Sequence, residues 1–238
     1  YDPSAVFSSI DHEGRYAFAN QRAVAKWNLA RFAEALLPVL IDECGSDEAA
    51  VAEANAALAE FDALFEAAWG EGMRAKLGLA KARGVNDETT AELASELLQH
   101  LQQARADYTG SFRVLANVAA GEQPHPSTVD HRPARDAAAA RGETPAGAEP
   151  ATQFPAEWVA RWLQLGPDAE AMNRVNPIYI PRNHLLDAAL EAATDGNLAP
   201  FTALLEHVTH PYNERPAGAE YASPAPPSVG RFVTYCGT

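Results

Sequence analysis

The chain has 238 residues, enough for one large domain or two small ones with a hydrophobic core. Its formal net charge is −14 and it carries no basic stripe, which argues against a nucleic-acid partner because clustered Lys and Arg neutralise phosphates. No apolar run approaches the roughly 20 residues that span a bilayer, so we expect a soluble protein with no membrane partner.

Apolar residues recur at helical spacing along most of the chain and predict a mainly α protein. The first helix begins at about Arg22, and Pro38 is expected to kink or end it because its ring displaces a backbone carbonyl. A second helix follows Ser46 as N-cap and is expected to be interrupted near Gly70 and Gly72. The first helix places Leu29, Phe32, Leu36, Leu37 and Leu40 on one face, and the predicted buried stripe of the second is Val51, Ala54, Leu58, Phe61 and Phe65.

Two more helices complete the first half of the chain. One is capped around Asn86 and the other ends by Gly121, with apolar positions Leu93, Leu97, Leu98 and Leu101 in the former and Phe112, Leu115 and Val118 in the latter. The one expected departure from helix lies between residues 7 and 18, where Gly14 suits the turn of a short hairpin.

Composition divides the chain into three segments, which we predict as residues 1–120, 121–153 and 154–238. The middle segment has almost no large apolar side chain, and six prolines lie between Pro124 and Pro155. Such a segment buries too little apolar surface to offset its ordering entropy, so it is predicted to be a mobile loop.

The last segment is predicted to be helical again, with a proline-rich tail. A helix after Pro155 carries Trp158 and Trp162, a short helix follows over 168–174, and residues 177–181 are expected to be extended. Asn183 is predicted to cap a further helix, and the final helix carries Phe201, Leu204, Leu205 and Val208.

Four polar or aromatic groups each allow a functional and a structural interpretation. Asp11 and His12 suggest an acid/base pair, but neighbours on an extended segment point apart, which favours a surface role. His207 and His210 have the spacing of a two-histidine metal site without a specified third ligand; a dipole role at the helix end also explains His207. The other two are Asp107-Tyr108-Thr109, a modification site or a cap with a packed ring, and Trp158 with Trp162, a binding ledge or core.

The start of the chain and its cysteines bear on location. The chain opens on Tyr1 without a signal-peptide pattern, so we expect either a processed chain or part of a longer one. Two cysteines, Cys44 and Cys236, do not make a disulfide scaffold and favour free thiols in a reducing cytoplasm. Heavy use of alanine with only three lysines suggests a GC-rich bacterial genome. We therefore expect a cytoplasmic bacterial protein.

Long strings of the sequence resemble the selenoprotein O (SelO/YdiU) family of protein adenylyltransferases, and they occur in family order across nearly the whole chain. They include Phe7-Ser-Ser-Ile-Asp11, Gly14-Arg-Tyr-Ala-Phe18, Trp27-Asn-Leu-Ala-Arg31, Arg74-Ala-Lys-Leu-Gly78, Asp107-Tyr-Thr109 with Phe112-Arg113, Asn176-Pro177, Pro181-Arg-Asn-His-Leu185 and Cys236-Gly-Thr238.

The resemblance implies a protein-kinase-like (pseudokinase) fold, of which this chain would be the helical C-lobe and C-terminal extension without the N-terminal lobe. Family members transfer AMP from ATP to Ser, Thr or Tyr hydroxyls of proteins, with Mg²⁺. The family's nucleotide-contacting, catalytic and metal-binding residues precede the stretch that Tyr1 matches. The resemblance therefore implies that the chain carries no catalytic, cofactor-binding or metal-binding residue, needs ATP and Mg²⁺ only in its full-length parent, and is inactive alone.

The implied partners are the missing N-terminal catalytic half and the protein substrates of the parent. Residues expected to brace the active site from behind are Arg15, Tyr16, Asn20, Gln21, Trp27 and Asn28. Cys236 sits where some members carry selenocysteine and is a possible redox residue. In some bacterial relatives a second cysteine early in this region is a candidate disulfide partner for it, and Phe7 stands near that place here. Cys44 is the only other cysteine of this chain. The competing hypothesis is a standalone helical interaction module without catalysis.

Overall fold

The computed structural model describes residues 1–122, 154–215, 217–226, 229, 232 and 234. In this part of the chain the regular structure is helical, and the only β pairing is an isolated parallel bridge between Ser8 and Thr234. The mainly α prediction is therefore confirmed. The helices are α1 Gln21–Cys44, α2 Asp47–Lys76, α3 Asp87–Ala104, α4 Tyr108–Ala119, α5 Ala156–Gln164, α6 Ala169–Val175, α7 Asn183–Thr194, α8 Ala199–Thr209 and α9 Ala219–Ala222, preceded by a 3₁₀ turn over Phe18–Asn20.

The predicted hairpin between residues 7 and 18 is wrong, because the structure has no strand pair there. The Asp11 carboxylate instead accepts hydrogen bonds from the backbone amides of Arg15 (2.9 Å) and Tyr16 (2.8 Å). An aspartate that binds amides four and five residues ahead closes a compact loop and competes with a strand ladder. Gly14 supplies the left-handed residue of that loop, with φ of 70°.

Helix α1 does not end at Pro38, and α2 is not interrupted near Gly70 and Gly72. Helix α1 continues through Pro38 to Cys44 and ends at Gly45, whose φ is 79° and whose amide donates to the Ile41 carbonyl. Helix α2 continues through Gly70 and Gly72 to Lys76. A helical glycine costs only about 1 kcal/mol relative to alanine, which strong helix formers on both sides offset. The predicted start of α2 is confirmed, since the Ser46 hydroxyl accepts from the Ala49 amide at 3.2 Å.

Local caps position α3, α4 and α7. Asn86 caps α3 by accepting from the Thr89 amide, and Asp107 caps α4 by accepting from the Gly110 amide. The predicted cap of α7 is wrong by one residue, because Arg182 occupies the N-cap position and Asn183 is the first helical residue. The Arg182 guanidinium is held by an ion pair, which fixes the backbone there without a side-chain cap.

The chain divides into two compact units, one of residues 2–71 together with Thr234 and one that begins at Gly72, ends at Phe232 and includes Tyr1. This division differs in kind from the predicted segments 1–120, 121–153 and 154–238, which stay a prediction; from residue 123 onward the middle segment lies outside the described residues. No helix in the described part of the chain is long and apolar enough to cross a membrane.

The unit that begins at Gly72 has a dense apolar core. Trp158 and Trp162 stack at 5.7 Å between ring centroids, and their indole nitrogens donate to the carbonyls of Leu93 and Leu77. These tryptophans are core residues, as their helical spacing favoured, and they join α5 to α3 and to the end of α2. The other large core residues include Leu79, Leu97, Leu101, Phe112, Leu115 and Met172.

Residues 2–71 bury far less. Their only buried apolar residues are Ala17 and Ala50. The predicted buried stripe of α2 is wrong for Val51, which is 44% exposed, and the other four stripe residues are half-buried. On α1, Leu37 and Leu40 are half-buried, whereas Leu29, Phe32 and Leu36 face solvent.

Candidate functional site

Five of the six predicted support residues form one connected group, which we call the Arg15–Trp27 cluster: Arg15, Tyr16, Asn20, Gln21 and Trp27. The Arg15 guanidinium lies 4.2 Å from the centroid of the Trp27 ring and 5.7 Å from that of Tyr16. Both distances suit cation–π contacts. The sixth residue, Asn28, is exposed on α1 next to Trp27.

The loop before α1 positions this cluster through hydrogen bonds from side-chain amides. Asn20 Nδ2 donates to the Gly14 carbonyl at 2.9 Å, and Gln21 Nε2 donates to the Tyr16 carbonyl at 3.0 Å. Together with the Asp11 carboxylate, these bonds tie residues 11–16 to the first turn of α1. Asp11 therefore has a structural role, and His12 is exposed.

Charged residues of α1 and α2 form an ion-pair network beside the cluster. Asp62 accepts from both Lys26 and Arg22, and Arg22 also pairs with Glu66. The hydrogen bonds from Lys26 and then Arg22 hold the pKa of the Asp62 carboxyl below its usual range. Hydrogen bonds to Glu66 and Asp62 raise the pKa of Arg22, so Arg22 and Asp62 both stay charged near neutral pH.

Exposed rings and guanidinium groups give the cluster the composition of a binding surface. Tyr16 and Trp27 are about half exposed, and Arg31 lies 5.4 Å from the Trp27 ring centroid. Trp, Tyr and Arg are the residues that most often dominate interface energies. None of the five cluster residues combines a nucleophile with a hydrogen-bonded base.

A second polar centre, which sequence reasoning did not assign, lies at the end of α2 around Lys76. The Lys76 ammonium donates to the Asn176 side-chain oxygen at 2.9 Å and lies 4.4 Å from the Phe112 ring centroid. Burial desolvates this ammonium and lowers its pKa. Desolvation likewise lowers the pKa of Arg113, which donates to the Asn173 carbonyl at 3.3 Å.

Three successive carbonyls at this point bind three distant donors. The carbonyls of Lys76, Leu77 and Gly78 accept from the Asn176 side chain (2.9 Å), the Trp162 indole (2.9 Å) and the Asp168 amide (3.0 Å). Gly78 has φ of 73°, and a Cβ there would lie 2.9 Å from the Asp168 amide nitrogen, so only glycine fits. Residues 76–78 and Asn176 belong to the family-like strings Arg74-Ala-Lys-Leu-Gly78 and Asn176-Pro177. Their spacing along the chain did not predict that they are in contact.

The two histidines at the end of α8, His207 within it and His210 just after it, each hydrogen-bond a backbone carbonyl of the helix. His207 Nδ1 hydrogen-bonds the Ala203 carbonyl, and its ring packs between Tyr179 and Tyr221 at 4.9 and 4.0 Å between centroids. His210 Nδ1 hydrogen-bonds the Glu206 carbonyl. Among the residues that the structure describes, no group of three His, Cys, Asp or Glu is placed to hold a metal ion.

The remaining hypotheses from the sequence concern the string Asp107-Tyr108-Thr109 and the two cysteines. Asp107 caps α4, and the Tyr108 ring packs against Phe112 at 5.1 Å between centroids, so this string supplies the expected cap and packed ring. Cys44 is exposed with a free thiol. Cys236 lies outside the described residues, and its redox role stays a prediction.

Two comparisons relate the chain to known proteins, one by a family model and one by individual relatives. The family model described as "Protein adenylyltransferase SelO" matches residues 1–209. Relatives named "Protein nucleotidyltransferase YdiU" are 48% identical in Mycolicibacterium paratuberculosis, 45% in Mycolicibacterium smegmatis and 44% in Rhodococcus jostii. Each alignment covers 100% of this chain but only 43% or 44% of the relative, so the chain spans less than half the length of the proteins it matches.

Proposed function

Because this chain belongs to the protein adenylyltransferase SelO family, we propose that it is the helical C-terminal part of an enzyme that transfers AMP from ATP to hydroxyl groups of proteins. The observation that carries the proposal is the alignment: relatives named as nucleotidyltransferases match every part of the chain at 44–48% identity and continue for more than its own length again. The expected acceptors are Ser, Thr and Tyr, and the expected location is the bacterial cytoplasm.

In the proposed reaction an acceptor hydroxyl attacks the α-phosphate of ATP, a new O–P bond forms, and pyrophosphate leaves with the electrons of the broken bond. More than half of each relative lies outside the alignment with this chain. We therefore assign the groups that bind ATP and Mg²⁺ to the rest of the full-length enzyme. The proposed place of this chain is the helical C-lobe and C-terminal extension of a kinase-like fold.

The Arg15–Trp27 cluster supports a positioning role for this chain. It is tied by hydrogen bonds to a loop and a helix start, which makes it rigid, and it is exposed, which lets it contact another segment. A rigid, exposed group of aromatic and guanidinium side chains suits the bracing of a neighbouring catalytic segment.

The test is transfer of label from α-labelled ATP with Mg²⁺, comparing the full-length parent with the 238-residue chain. We expect label on protein substrates, or on the enzyme itself, only with the parent. Robust labelling by the shorter chain would place a nucleotide site within these residues and overturn the assignment. Absence of labelling by a folded parent would favour the alternative, a helical interaction module without catalysis.

Replacing Arg15 by Ala in the parent is expected to lower kcat by about tenfold or more, because small shifts of a supporting segment misplace reacting groups. The KM for ATP is expected to stay unchanged, since the cluster does not touch the nucleotide in this proposal. Arg31→Ala is the matched control, because Arg31 lies farther from the Trp27 ring and pairs with Glu34 on the surface. Equal losses in both variants, or a change confined to KM, would contradict the bracing role.

A further inference from the structure

Apolar side chains are distributed very unevenly between the two units. In residues 2–71, all of which are described, eleven large hydrophobic residues are exposed and only Ala17 and Ala50 are buried apolar residues. The described part of residues 72–232 contains nineteen buried apolar residues, including two tryptophans. Residues 2–71 therefore lack an apolar core of the kind that normally holds helices in place.

Part of this exposed surface is a stripe on α1 formed by Leu29, Phe32, Leu36 and Val39. These residues lie at positions i, i+3, i+7 and i+10, which places them on one side of the helix over a length of about 15 Å. Their exposed fractions are 40%, 60%, 37% and 61%. We call this set the α1 stripe.

The α1 stripe differs from the scattered apolar residues of ordinary surfaces. Single exposed leucines need no explanation, whereas a continuous apolar patch marks a contact surface. The helical repeat places Glu34 opposite the stripe and Arg31 to one side of it, and Ala25 lies on the same face as the stripe. Glu43 follows Val39 by one turn and is exposed, so a covering segment would meet an apolar face with one carboxylate at its C-terminal end.

Leu37 and Leu40, next to the stripe, are already half-buried, and Arg22 and Lys26 pair with Asp62 of α2. Helix α1 is thus held to α2 on one side, and the adjacent side carries the exposed α1 stripe. A helix with apolar residues on more than one side is typical of the interior of a larger protein.

We propose that α1 is an interior helix of the full-length enzyme, and that the α1 stripe is covered there by the part of the protein that these 238 residues do not include. The inference rests on the proposed function, in which this chain is part of a longer one. The length of the relatives supports this occupant, since more than half of each lies outside the alignment. The covering segment is expected to be apolar and to bury the whole stripe.

Thiol accessibility in the full-length parent tests this directly. In a Cys44→Ser, Cys236→Ser background, Val39→Cys is compared with Leu198→Cys, and labelled positions are identified by peptide mapping. Leu198 is the matched control, because its exposed fraction of 60% nearly equals the 61% of Val39. It lies between α7 and α8. We expect Val39→Cys to react at least about tenfold more slowly than Leu198→Cys, since a buried site reacts only on opening.

Equal labelling rates in the folded parent would overturn the inference. Leu36→Cys serves as a second probe if Val39→Cys does not fold, and the same slow labelling is expected from it. Protection that disappears when the parent is diluted to a monomer would identify a second copy as the occupant and would also overturn it. Transfer of AMP is measured on the same samples: a protected but inactive parent refutes the proposed function alone, and an active parent with an accessible stripe refutes this inference alone.

Discussion

Replacing Trp162 by Ala is expected to lower the free energy of unfolding by about 4 kcal/mol, the largest effect of any substitution considered for this chain. Trp162 is fully buried, stacks on Trp158 and donates its indole N–H to the Leu77 carbonyl at 2.9 Å. The substitution removes the ring from the core and leaves both a cavity and a buried carbonyl without its donor. Equilibrium urea unfolding followed by far-UV circular dichroism measures the change.

Two companion variants separate packing from hydrogen bonding. Trp162→Phe keeps an aromatic ring but removes the donor, so a loss of about 1–3 kcal/mol is expected from the unsatisfied Leu77 carbonyl and the smaller ring. Leu163→Ala is the control in the same helix; Leu163 is 40% exposed, and a loss below about 1 kcal/mol is expected. If Trp162→Ala cost no more than Leu163→Ala, the tryptophan pair would not be the core that the structure describes.

Replacing Asp107 by Asn is expected to lower the free energy of unfolding by about 3 kcal/mol, because it leaves the buried Arg182 guanidinium without its counter-charge. The two side chains form a bidentate pair at 2.8 and 2.9 Å, and Arg182 is only 8% exposed. Arg182 also donates to the Ala222 carbonyl, so the pair joins the start of α4 to α9. Urea unfolding again provides the measurement.

The same pair predicts a pH dependence. Burial desolvates the Asp107 carboxyl and by itself raises its pKa, but the hydrogen bonds and charge of Arg182 outweigh this and hold the pKa below its ordinary value. A carboxyl with a lowered folded pKa contributes stability that is fully present above its unfolded pKa of about 3.9 and is lost as the pH falls through the folded value. The difference between wild type and Asp107→Asn is therefore expected to be constant above about pH 5 and to shrink below about pH 4.

Glu170→Gln is the matched control, since Glu170 forms an exposed pair with Arg174 and a loss below about 0.5 kcal/mol is expected. The double variant Asp107→Asn with Arg182→Met is expected to recover part of the loss, because it removes the uncompensated charge as well. If the double variant lost more free energy of unfolding than the two single variants together, the ion pair would not be the source of the effect.

Helix positions and caps were largely predictable from the sequence. Asn86, Asp107 and Ser46 each accept from an amide three residues ahead, so their roles depend on side chains and amides that are neighbours in the chain. Helix α1 does not end at Pro38, and α2 is not interrupted at Gly70, which shows the limit of that approach, because a local preference does not by itself end a helix whose flanking residues favour it.

Part of the candidate site was also visible in the sequence. The family strings led to Arg15, Tyr16 and Trp27, and the structure brings these side chains into contact, although their bracing role stays a prediction. The centre around Lys76 was not predicted, because Lys76 and Asn176 are separated by 100 positions and neither forms a recognisable motif. The periodicity of apolar residues also did not predict which side of α1 packs and which side faces solvent.

The sequence by itself determined the helical class, the caps at Ser46 and Asn86 and the family, since each depends on local spacing or on long strings read in order. Only the tertiary structure decided which donors meet the carbonyls of residues 76–78, and that Asp107 serves both as a cap and as the partner of Arg182. The physical reason is range: a cap is complete within one helical turn, whereas a buried hydrogen bond or ion pair needs groups that the folded chain brings together from far apart.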